Sequence, residues 1–211
     1  MDDLLAAIQP GLRKLDPSGG LTSEPGDPAE LDAVTSLFVV DLEMSGPNAA
    51  IHEILDIAGV RATLAPKFPE EEAWGSRVRP KRIGNAVPAA LKVVGYTPKA
   101  WKTALELEAA WTRFSTLGHG AVITGWGISQ DMAFLVETFR RLEQPWPFAP
   151  VALDVQPIAR GLLKATGTVD RFNLGHVADR LGIGRMGEHG ALADAYATYD
   201  VLIKLLELPA G

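Results

Sequence analysis

Residues 37 to 46, LFVVDLEMSG, constrain this chain more than any other stretch. The apolar run Leu37-Phe38-Val39-Val40 is aromatic and β-branched, and reads as a buried strand. Asp41 and Glu43 follow it at once, with only Leu42 between them. Side chains alternate between the faces of a strand, so the two carboxylates point the same way. Two like charges side by side at the end of a buried strand repel each other and require something to neutralise them.

Composition narrows what that can be. With no cysteine in 211 residues, disulfides, thiolate zinc sites and cysteine nucleophiles are excluded. The chain is long enough for one domain with a substantial core. At 47% hydrophobic and 22% charged it has the balance of a soluble globular protein. No apolar run approaches the length needed to cross a bilayer, so no membrane partner is expected. Asp2 and Asp3 stand where a secretory leader needs positive charge, and a cytoplasmic location is the expectation.

A net charge of −6 argues against binding to long duplex nucleic acid. Its distribution is uneven. Between Ala73 and Leu105 there is no acid, while Arg77, Arg79, Lys81, Arg82, Lys92, Lys99 and Lys102 alternate with Trp74, Tyr96 and Trp101. Cations with interleaved aromatics suit single-stranded nucleic acid, whose phosphates need charge and whose bases need stacking faces. A solvated face over three core aromatics accounts for the same composition and, taken alone, is the simpler reading.

Periodicity divides the chain into residues 1–30 and 31–211. Leu4, Leu5, Ile8, Leu12 and Leu15 predict a short amphipathic helix over residues 2–15, and DPSGGLTSEPGDP (16–28) predicts a linker. This piece reads as a helical arm. Beyond it, strands are expected at Leu37–Glu43, Ile54–Thr63, Trp74–Val78, Ala121–Thr124 and Val151–Leu153. Helices are expected at Pro88–Val93, Pro98–Thr116, from Ser129 to Pro145, and at Val155–Ala165, Leu174–Leu181 and Ala191–Leu206. Strands early and helices late, with some alternation, make an α/β domain.

Three more residues stand at telling places. Asp131 opens the helix that follows the strand AVIT, in ITGWGISQDMAFL. His189 and Asp194 lie in GEHGALADAYATYDVL, the histidine in the glycine-bracketed lead-in to the last helix and the aspartate near its first turn. Singly, each has an ordinary explanation: a helix-capping acid, a surface histidine, a strand edge facing water.

Together, D-x-E on the first strand, an Asp opening a middle helix and H-x4-D at the last helix resemble the DEDDh family of 3′–5′ exonucleases. That family includes the proofreading subunit of bacterial replicative polymerase, ribonuclease T and oligoribonuclease. VVDLEMSG resembles its first motif, GWGISQDMAFL its second and EHGALADAYATYDVL its third, while VPAALKVVGYT, ALDVQPIAR and NLGHVADRLGI resemble the segments between. The resemblance runs from about Leu37 to Leu206. It implies an RNase H-like α/β fold with a mixed five-stranded sheet flanked by helices.

It also implies a neutraliser for Asp41 and Glu43. Together with Asp131 and Asp194 they would hold two divalent metal ions, Mg²⁺ or Mn²⁺, in keeping with an all-oxygen donor set. His189 would act as general base. The implied activity is hydrolysis of DNA or RNA from single-stranded 3′ ends, releasing nucleoside 5′-monophosphates. A polymerase, or a second copy of the chain in a homodimer, would be a further partner. A non-catalytic nucleic-acid- or polymerase-binding module is the alternative, but its signature would be a missing carboxylate. Met44, Ser45 and Gly46 of the first motif would touch substrate. The chain departs from the family in having Trp126-Gly127 where His-Asn or Asn is usual. It also has Val94-Gly95-Tyr96-Thr97 where His-Gly-Ile-Thr is usual. Trp126 and Tyr96 thereby become candidates for stacking on bases.

Overall fold

The computed structural model describes residues 6–31, 34–65, 68–164, 172–184 and 190–208. The strands are β1 (Leu12–Leu15), β2 (Leu21–Pro25), β3 (Ser36–Met44), β4 (Ile54–Thr63), β5 (Glu70–Arg77), β6 (Val122–Gly125) and β7 (Val151–Asp154). The helices are α1 (Pro88–Val94), α2 (Leu107–Leu117), α3 (Ser129–Leu142), α4 (Val155–Lys164), α5 (Leu174–Arg180) and α6 (Ala191–Leu206).

The seven strands of the described residues join one sheet in the order β2-β1-β7-β6-β3-β4-β5. β3, β6 and β7 run parallel, while β4 and β5 form an antiparallel meander on β3. These five are the mixed RNase H-like sheet the sequence implies. The other two strands correct the expectation for the N-terminal piece. Residues 12–15 pair antiparallel with β7 (Leu12 opposite Leu153), and β2 closes a hairpin on them. Among the described residues, the helix predicted over 2–15 is present at 6–8, which lead into a 3-10 turn at Gln9–Gly11; residues 2–5 lie outside the described residues. Pro10-Gly11 is the interruption that the apolar spacing concealed. A Cβ at Gly11 would stand 2.3 Å from the Asp154 carbonyl oxygen, so only glycine lets the chain come this close to β7. The expected linker is the hairpin turn and β2. In that turn the Asp16 carboxylate accepts the N–H groups of Ser18 (2.7 Å) and Gly20 (3.0 Å).

Helices cover both faces, and the strand period of two sorts β3 between them. Phe38, Val40 and Leu42 face α2 and α3, where Phe38 meets Phe114 at 4.8 Å between ring centroids. Both rings are wholly buried, each stabilising the fold by roughly 1.5–3 kcal/mol. Leu37 and Val39 face the other way, and Val39 packs with Ala58, Val60, Ala191 and Ala195. Asp41 and Glu43 continue that second row towards the end of the strand, so period two delivers both acids to the α6 side.

The helix predicted from Pro98 begins only at Leu107. Residues 98–103 are turns, and the chain at Leu105 is captured by the end of β5: Leu105 N–H donates to Arg77 O and Arg79 N–H to Leu105 O. Trp101, buried, donates its indole N–H to Leu55 O at 2.9 Å. These tertiary bonds outweigh local helix preference. Helix α4 is described as far as Lys164.

Candidate active site

Three elements converge at the end of β3. Asp41 and Glu43 come from the strand and Asp194 from the first turn of α6. One oxygen from each of the three lies within 4.8 Å of the others. Asp131 enters from the first turn of α3, only 8% exposed, and its carboxylate accepts the Leu42 N–H at 3.1 Å. It thereby touches the backbone link between Asp41 and Glu43. His189 lies outside the described residues.

The electrostatics are those of crowded acids. Burial, followed by the charges of Asp131, Asp194, Glu43 and Asp56, pushes the Asp41 carboxyl well above the usual range. Burial, with Asp194 and Asp56, raises Glu43 to about 7. Burial also raises Asp131 to about 7, against the pull of the Leu42 N–H and its own N–H and with help from Glu43 and Asp154. Desolvation and mutual repulsion both disfavour the charged forms. Convergent, all-oxygen and mutually repelling, the cluster fits hard divalent cations.

Two acids that the sequence motifs do not include take part. Asp56 on β4 lies directly opposite Glu43, and Arg77 on β5 directly opposite Asp56. Asp154 ends β7, buried, and accepts the N–H groups of Gly127 (2.9 Å) and Gln156 (3.0 Å). It ties the turn before α3, and hence Asp131, to the sheet. An acid inside an apolar strand, as in ILDIAGV and VALDV, was the available signal; strand register was needed to give it meaning.

The expected substrate contacts are distributed around the end of β3. Met44 ends the strand, partly exposed. Ser45 is buried: its hydroxyl accepts the Glu53 N–H at 2.9 Å, and its carbonyl accepts the Val87 N–H at 2.8 Å. Gly46 is buried too, and a Cβ there would meet the His52 ring at 2.6 Å. Ser45 and Gly46 thus fasten the loop that follows β3. Tyr96, partly exposed, packs on Trp101 at 5.1 Å, and Trp101 also carries the Arg77 guanidinium at 4.5 Å. Trp126, half-buried, stacks on Phe172 at 5.7 Å and 24°. Each candidate stacking ring already has an aromatic neighbour on one side.

The basic stretch is less available than its composition suggests. Arg79 pairs with Glu106 and Lys81 with Glu106 and Glu108, acids just beyond the stretch in sequence, while Arg82 pairs with Glu53, which precedes β4. Arg77 donates to Ala100 O. Lys92, Lys99 and Lys102 are exposed and hold no ion pair among the described residues.

A sequence model of the exonuclease family RNase T matches residues 38–202. DNA polymerase III subunit epsilon of Aquifex aeolicus is 25% identical over 175 residues, covering 82% of this chain and 81% of that protein. A PolC-type DNA polymerase III of Thermotoga maritima is 22% identical over 176 residues, covering 82% of this chain but 12% of that protein. Among solved structures, E. coli exonuclease I in complex with a dT13 oligonucleotide superposes with a TM-score of 0.64 at 20% identity, covering 79% of this chain and 40% of that one. A 3′-exonuclease recognising the 3′ end of a histone mRNA stem-loop gives 0.65 at 15% identity, covering 83% and 64%. These structural likenesses show a shared fold. The chain spans less than half of exonuclease I and about an eighth of the PolC-type polymerase.

Proposed function

The chain belongs to the exonuclease family, and we propose that it is a metal-dependent 3′–5′ exonuclease acting on single-stranded nucleic-acid 3′ ends. The observation that supports this most is the meeting of Asp41, Glu43 and Asp194 within 4.8 Å, with Asp131 bonded to the strand that carries two of them. An acidic cluster raised in pKa by burial and by its own charges has a use for cations that an ordinary solvated acidic face lacks.

Asp41, Glu43 and Asp194 would hold one divalent ion, Mg²⁺ or Mn²⁺, and Asp41 with Asp131 a second. When bound, such ions supply Lewis acidity at the scissile phosphate and draw together the attacking and leaving oxygens. The protein's own residues do the rest. His189 takes a proton from the attacking water at an imidazole nitrogen. The water oxygen bonds to phosphorus, the P–O3′ bond breaks, and O3′ takes up a proton from solvent, so the shortened strand leaves with a 3′-hydroxyl as a nucleoside 5′-monophosphate is released. Ser45 and Gly46 keep the adjoining loop in place, and Asp154 holds the turn that delivers Asp131.

One solved relative holds single-stranded DNA and another an RNA stem-loop, so both chemistries belong in the test. The relation to a polymerase subunit makes a polymerase the macromolecular partner to try first. The experiment is degradation of 3′- and 5′-labelled DNA and RNA oligonucleotides with Mg²⁺ or Mn²⁺. A 5′-labelled strand should shorten stepwise, and a 3′ label should be released at once as mononucleotide. Internal cuts, or no cleavage with either metal, would contradict the proposal.

A further inference from the structure

We propose that Asp56 is a positioning residue that sets the first turn of α6, and with it Asp194, against Glu43. The inference rests on the acids being a cation site.

Its basis is a row across three strands. Glu43, Asp56 and Arg77 are direct cross-strand partners on β3, β4 and β5, so their side chains share one face. The next row on that face is Asp41, Ala58 and Gly75, and the start of α6 lies on it. Ala191 packs with Ala58, and a Cβ at Gly75 would come within 3.2 Å of the Leu192 Cβ. The absent side chain at Gly75 lets the helix sit this low. Asp56, one step further along the strand than Ala58, therefore lies beside the entry to α6. Arg77 stands directly across from it on β5, and burial raises its carboxyl against the pull of the Ile57 N–H, Arg77 and the Ala191 N–H.

An N–H at the start of a helix has no partner within the helix, and a carboxylate is favoured beside it. The residue preceding α6, Gly190, has no side chain to supply one. Asp56 supplies it from another strand, at a backbone position three residues ahead of Asp194 and two after His189. Arg77, held by Ala100 O and the Trp101 ring, balances the acid on the side away from Glu43. A residue that fixes a ligand-bearing helix acts on the metal through Asp194, as outer-shell partners of metal ligands do.

The test is Mn²⁺ binding by titration calorimetry on the full chain without substrate, alongside turnover on a labelled single strand. Asp56→Ala is expected to weaken Mn²⁺ binding roughly 10- to 100-fold and to lower turnover with it. Asp56→Asn keeps an oxygen that accepts the Ala191 N–H and should recover most of the loss. Wild-type Mn²⁺ binding in Asp56→Ala, even with a lowered melting temperature, overturns the proposal. An Asp56→Asn variant as deficient as Asp56→Ala overturns it too, by making Asp56 a ligand in its own right. If Asp56→Ala does not fold, Asp56→Ser, with a shorter polar side chain, is judged by the same criteria. Asp41→Ala separates the two levels: wild-type Mn²⁺ affinity there defeats the cation site itself, whereas its loss leaves a failure at Asp56 specific to the positioning role.

Discussion

Asp131 and Leu42 are 89 residues apart in sequence and are joined by a buried hydrogen bond of 3.1 Å from the Leu42 N–H to the Asp131 carboxylate. That bond fastens the first turn of α3 to the dipeptide link between Asp41 and Glu43. It makes the site a single unit: the acid from the helix reads the position of the strand through its backbone. A change in one acid, or in the charge around it, is therefore felt by the others.

The metal-free protein should lose stability as pH rises from about 4 to 7. Glu43 and Asp131 have folded-state values of about 7, against ordinary values of 4.5 and 3.8. A raised acid favours the folded state fully below its unfolded value, and that contribution is gone once pH passes the folded one. Glu137, held near 2 chiefly by Arg140 and also by Arg141, works in the opposite sense but only below about 4.5. Melting in EDTA should therefore fall by several degrees over this window, since about 1 kcal/mol is roughly 2–4 °C at this size. Mg²⁺ at pH 8 should reverse the loss, and Asp131→Asn should flatten the slope. A melting temperature that rises through the window in EDTA would refute this.

His189→Ala should lower turnover by roughly 10²–10⁴ while leaving Mn²⁺ affinity intact. Wild-type turnover should itself fall as pH drops below about 6.5, where an ordinary imidazole becomes charged. Equal loss of metal affinity in the variant would make His189 a ligand instead of a base.

Lys92, Lys99 and Lys102, exposed and free of ion pairs among the described residues, are the cations of the acid-free stretch left to meet phosphates. Reversing two of them to Glu should raise KM, spare kcat and reduce the log–log salt slope by about 0.7 for each phosphate that no longer meets a cation. Arg79→Ala, which removes a partner of Glu106, should leave the slope unchanged. The opposite ranking would assign the strand to the other side of β5.

Trp101→Phe should cost about 0.5–1.5 kcal/mol, because it removes the indole donor 2.9 Å from the Leu55 carbonyl, which keeps the Val78 N–H at 2.8 Å. It should also loosen Tyr96, which packs on the same ring. A chemical melt with an unchanged midpoint would show that the hydrogen bond is replaced.

How much of the fold and site was legible in the sequence depends on how local each cause is. Period two put Asp41 and Glu43 on one face without any knowledge of the rest of the chain. Asp131 and Asp194 could be placed at helix starts, but that they meet the strand acids depends on the parallel β3–β6 pairing and on the seat of α6 over β4. Asp56 and Asp154 could not be found, since an isolated acid in a strand has no meaning until its cross-strand partner is known. Leu12 and Leu15 fit a helix and a strand equally well, and the open edge of β7 decided for the strand. Leu105 falls outside the helix predicted for it because Arg77 and Arg79, not its sequence neighbours, hold its backbone.

If acids from β3, α3 and α6 form one site for two cations, they set the number of Mn²⁺ ions bound per chain. Electron paramagnetic resonance titration of the full chain should give two ions for the wild type and one for Asp131→Asn, with cleavage reduced by more than the roughly 10- to 100-fold of an outer-shell change. A wild type that binds no Mn²⁺, or an Asp131→Asn variant that binds two ions and cleaves at the wild-type rate, would contradict the two-cation site.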